Sequence, residues 1–77
     1  MKDSDKVRFE VEVEGTMPAR MRFEVYAHTA QDALEVIFRN RYAARLLSDS
    51  PDRDRFRPQR GKAIDSKTGL IKATKTI

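Results

Sequence analysis

Two consecutive runs of strict alternation constrain this chain more than any other feature. From Val7 to Glu14, Val7, Phe9, Val11 and Val13 fall on one side and Arg8, Glu10, Glu12 and Glu14 on the other. From Arg20 to Ala27 the pattern repeats, with Met21, Phe23, Val25 and Ala27 apolar and Arg20, Arg22, Glu24 and Tyr26 opposite. A period of two with β-branched and aromatic residues on the apolar side encodes a half-buried strand. The breakers Gly15-Thr16-Met17-Pro18-Ala19 fit between the runs as a short connection. The expected product is an antiparallel hairpin in which Glu14 and Glu12 lie near Arg20 and Arg22.

A helix follows. Thr29 is a good N-cap, and Asp32, three residues on, suits both a capping box and the helix dipole. At 100° per residue Ala30, Ala33, Leu34, Ile37 and Phe38 form one apolar stripe. Beyond residue 40, Arg41 and Arg45 project onto that stripe. Either the helix overhangs the sheet or Asn40 ends it; overhang is the expectation, with both arginines at the rim.

Residues 48–61 contain two prolines, a glycine and one large apolar residue, Phe56, and read as a long basic loop. Ala63-Ile64-Asp65 and Leu70 to Ile77 read as a second hairpin around Ser66-Lys67-Thr68-Gly69, with Ile71, Ala73 and Ile77 sharing a face. The expectation is therefore a single α+β domain over residues 1–77, ordered β-β-α-β-β. Its mostly antiparallel four-stranded sheet carries one helix on one face. Val11, Val13, Phe23, Val25, Leu34, Ile37, Phe38 and Ile71 are the expected core, and residues 1–5 are expected to be disordered.

Several function classes lose support at once. Without cysteine there is no disulfide, thiol nucleophile or thiolate zinc site. The one histidine, His28, stands at an element boundary with no partner set for catalysis. Asp49, Asp52 and Asp54 lack the glycine and terminal glutamate of a calcium loop, and Gly61-Lys62 lacks the rest of a phosphate-cradling loop. Lys67-Thr68-Gly69 matches a fragment of a β-lactamase signature and reads as a turn. No enzyme, cofactor or metal is expected. The charged start and the lack of any long apolar run predict neither signal peptide nor membrane span, hence a cytoplasmic protein.

Charge is the positive signal. Residues 1–38 carry five cations and eight acids, whereas residues 39–77 carry eleven cations and four acids. Within residues 39–62 seven arginines and one lysine face three aspartates. Planar guanidinium groups bind phosphate bidentately and stack on bases. Arg39, Arg41, Arg45, Arg53, Arg55, Arg57, Arg60 and Lys62, interleaved with Tyr42 and Phe56 as stacking rings, thus form a candidate surface for nucleic acid or a nucleoprotein complex. Arg41 and Arg45 would share a helix face, and Arg53, Arg55 and Arg57 one side of an extended loop. The plain alternative is a solvated basic loop whose aspartates pair locally. The acidic ladder Glu10-Glu12-Glu14 would mimic phosphates or, more simply, form a solvated face.

The run Phe23-Glu24-Val25-Tyr26-Ala27-His28-Thr29-Ala30-Gln31-Asp32-Ala33-Leu34, strand into capped helix, resembles small accessory proteins of phages and mobile elements. Gly69-Leu70-Ile71-Lys72-Ala73 resembles a late strand of some small type I anti-CRISPR proteins. The layout also resembles, more loosely, an archaeal-type ribosomal protein. The first resemblance implies an alternative function: a protein inhibitor that blocks an RNA-guided defence complex by protein–protein contact. Exposed edge strands would also allow a homodimer by strand pairing.

Overall fold

A computed structural model describes residues 6–15, 20–40, 42–48 and 55–77. Strand β1 (Val7–Gly15) pairs antiparallel with β2 (Arg20–Ala27), in the register Val7↔Ala27 to Glu14↔Arg20. Helix α1 (Ala30–Arg39) follows, then β3 (Arg45–Leu46), β4 (Pro58–Asp65) and β5 (Ile71–Thr76). The strands form one sheet in the order β3-β2-β1-β4-β5, and every pairing is antiparallel. The α+β class and both hairpins stand as expected; the fifth strand, β3, was not expected.

One face of the sheet is covered and one is open. Phe9, Val11, Val13, Met21, Phe23, Val25 and Ala27 point to the covered side, where Ala33, Leu34 and Ile37 of α1 meet them. Thr29 caps the helix by accepting the Asp32 backbone N–H at 3.1 Å, and Asp32 places a carboxylate in the first turn. Phe38 packs at the margin of this core, with Lys75 Nζ 5.6 Å from its ring centre. Between β4 and β5, Ser66–Thr68 turn the chain and Gly69 adopts φ +76°, a conformation that costs side-chain-bearing residues about 1–2 kcal/mol.

Three expectations are corrected. The helix does not overhang: Asn40 is extended (φ −156°, ψ 101°), and its backbone N–H donates to Val36 O at 3.0 Å. A longer helix would have carried guanidinium groups onto its apolar stripe. Instead Tyr42 N donates to Asn40 Oδ1 at 3.0 Å, and the chain turns to deliver Arg45 and Leu46 to the edge of β2.

Next, Ile71 is not core; it is 54% exposed. Ala63 pairs with Ala73, but Ile64 pairs with Ile71, so the register slips by one residue at Lys72. Because side chains alternate with period two, that slip moves Ile71 to the open face beside Ile64.

Finally, the 48–61 segment is not loop throughout. Pro58, Gln59, Arg60 and Gly61 belong to β4. Proline is tolerated there because it occupies the first position of the strand. The register also shifts between Glu14↔Arg60 and Gly15↔Pro58, leaving Gln59 without a partner on β1. Residues 1–5 and 49–54 lie outside the described residues.

Candidate functional site on the open sheet face

The outward positions of the first four strands interleave charge. Arg8, Glu10, Glu12 and Glu14 stand on β1, flanked by Arg20, Arg22, Glu24 and Tyr26 on β2 and by Arg60, Lys62 and Ile64 on β4. Arg45 on β3 stands opposite Glu24 and therefore joins the same face. Six cations (Arg8, Arg20, Arg22, Arg45, Arg60 and Lys62) thus share it with four carboxylates.

Glu14 lies between two arginines. Its Oε2 is 3.1 Å from Arg20 Nε and its Oε1 is 3.0 Å from Arg60 Nε. Lys62 Nζ lies 3.2 Å from Glu12, Arg22 donates to Glu10 at 3.2 Å, and Arg8 donates to Glu24. That hydrogen bond to Glu24 is the main reason the Arg8 guanidinium holds its proton more tightly than usual. Arg22 reaches diagonally to Glu10 although Glu12 is directly opposite.

At the β1–β2 turn end of this face a hollow of about 230 Å³ opens among Glu12, Glu14, Arg20, Arg60, Lys62 and Thr74. It is smaller than the ~300–1,000 Å³ usual for small-molecule sites. Among the described residues no group of three or more His, Cys, Asp or Glu side chains is placed to hold a metal ion. No helix among them is long and apolar enough to cross a membrane.

The residues singled out from the sequence are dispersed. Arg60 and Lys62 reach the open face, where Glu14 and Glu12 pair with them. Arg45 reaches it from the edge strand, while Arg39 is exposed in the last turn of the helix. Tyr42 is exposed in the turn after the helix. Arg55 and Arg57 are exposed on either side of Phe56, which is wholly buried. The Phe56 ring is therefore part of the core and is not offered for stacking. Arg41 and Arg53 lie outside the described residues.

Sequence reasoning passed over Arg20, Arg22, Arg8 and Tyr26 as members of a cationic face. Alternation did mark them as outward. It could not show that β4 would bring Arg60 and Lys62 alongside them, a pairing about fifty residues away in sequence.

These features define a small α+β domain with a helix-covered sheet and an open, charge-laddered face. Compared with protein families, with curated proteins and with solved structures, the chain finds no match.

Proposed function

We propose that this is a non-catalytic binding protein that docks through the open face of its sheet on nucleic acid or a nucleoprotein complex. One observation carries the reading. Cations outnumber carboxylates six to four on that face, and at its turn end Arg20 and Arg60 flank a single carboxylate, Glu14. Glu14 approaches both at Nε, and each guanidinium has further N–H donors that a phosphate could accept from. Guanidinium groups suit that contact because their planar donors match two phosphate oxygens.

The test is a fluorescence-anisotropy titration of a labelled oligonucleotide from low to physiological salt. Each phosphate contact on a single strand contributes about −0.7 to the log–log slope. Arg20→Gln with Arg60→Gln should flatten the slope by about 1.4. Absence of binding at low salt, or an unchanged slope in the double variant, rejects the reading.

A second reading is an inhibitor or adaptor that meets a protein, such as an antagonist of an RNA-guided defence complex encoded by a phage or mobile element. It is favoured by the four glutamates interleaved on the same face and by exposed Leu70 and Ile71 beside it. Pull-down from host lysate with and without nuclease separates the two. A specific protein retained after nuclease supports the antagonist; loss of all partners supports direct nucleic-acid binding.

A further inference from the structure

The open face is divided along the strands. At the β1–β2 turn end stand Arg20, Arg60 and Lys62 with their carboxylates. At the opposite end stand Tyr26, on β2 across from Arg8, and the pair Ile64 and Ile71 on β4 and β5. Tyr26 is 56% exposed, and every other outward residue of β1 and β2 is charged. It stands six residue steps along β2 from Arg20, a span of about 20 Å at ~3.3 Å per residue.

A nucleotide has the same two-part chemistry: an apolar base with a π-face and an anionic phosphate. In a duplex the bases are stacked inward, and a flat sheet surface meets mainly phosphate. In a single strand the bases are free to stack on a protein ring, in a way that tolerates any base.

We propose that the open face binds single-stranded nucleic acid, with Tyr26 as the ring on which a base stacks while Arg20 and Arg60 hold the backbone. This rests on the phosphate-docking reading above and adds the strand form and the stacking residue. Tyr26 takes the role that buried Phe56 cannot fill.

The test compares two labelled ligands of equal charge at low salt, an eight-residue oligothymidylate and an abasic oligomer of the same length. Wild type should bind the oligothymidylate at least about fivefold more tightly, the lower bound for one stacked base. Tyr26→Leu should bring the ratio close to one, whereas Tyr26→Phe and Tyr42→Leu should retain it. The chain has two tyrosines and no tryptophan, so Tyr42→Leu leaves Tyr26 as the sole aromatic fluorophore of any strength. Its emission should be quenched by the oligothymidylate and unaffected by the abasic oligomer.

Equal affinity of wild type for both ligands overturns base stacking and leaves phosphate docking standing. Failure of both to bind overturns both readings. Discrimination that survives Tyr26→Leu, or that disappears in Tyr42→Leu, overturns the assignment to Tyr26. Should Tyr26→Leu fail to fold, the wild-type ligand comparison and the emission of Tyr42→Leu still decide the matter.

Discussion

A Cβ built on Gly15 would stand 2.6 Å from Cε1 and 2.9 Å from Cζ of Phe56, so the ring fills the space that a side chain at Gly15 would require. Arg57 O is equally close, at 2.6 Å from the same point, so backbone as well as side chain would have to move. Phe56 and Arg57 are thereby held against the Gly15 end of β1. Phe56→Ala should cost about 3–5 kcal/mol, and Gly15→Ala about 1–3 kcal/mol from overpacking. Urea unfolding measures both. A Phe56→Ala midpoint equal to wild type would show that the ring contributes nothing to the core.

The slip at Lys72 makes a paired prediction. Ile37→Ala, on the covered face, should cost about 2–5 kcal/mol. Ile71→Ala should stay within about 0.5 kcal/mol, as surface substitutions do. Had the register run on without the slip, Ile71 would follow Ala73 on the covered side and the two losses would be comparable.

Lys75 donates to Glu35 Oε2 at 2.9 Å and ties β5 to the helix. That hydrogen bond, followed by the charge of Lys75, lowers the Glu35 carboxyl below its ordinary value. A depressed carboxyl contributes stability that is present above the unfolded-state value and is lost as pH falls through the folded one. NMR titration of the Glu35 side-chain carbon should show the depressed midpoint, and Lys75→Met should return it toward the ordinary range. An unchanged midpoint in that variant would place the cause elsewhere.

Glu14→Gln separates stability from binding. Its pairs with Arg20 and Arg60 are exposed, and such pairs are worth about 0–1 kcal/mol each, so the melting temperature should move little. If the face docks on phosphate, removing the one carboxylate between the two arginines should tighten oligonucleotide binding at low salt. Weaker binding, with folding intact by circular dichroism, would instead mean that Glu14 acts mainly by holding the arginines in position.

Local pattern alone determined much of this protein. The alternation in residues 7–14 and 20–27 specified a hairpin, its inward side and the facing of Glu14 to Arg20. Thr29, Asp32 and the stripe Ala33, Leu34, Ile37 specified a capped helix with one buried side. Periodicity suffices there because a strand or helix that buries one face must repeat its apolar residues at its own period.

Tertiary structure decided the rest. That Asn40 ends the helix, that Arg45–Leu46 form a fifth strand and that Phe56 is core all depend on what stands across the sheet. The same holds for Ile71: one unpaired residue in β5 reverses its side, and no property of Ile71 records this. The cationic face was assembled in the same way. Arg20 and Arg60 are forty residues apart and meet only because β1 pairs with both β2 and β4, with Glu14 between them. A charge in sequence specifies how strongly a residue attracts an anion; only strand order and register specify which other charges stand beside it.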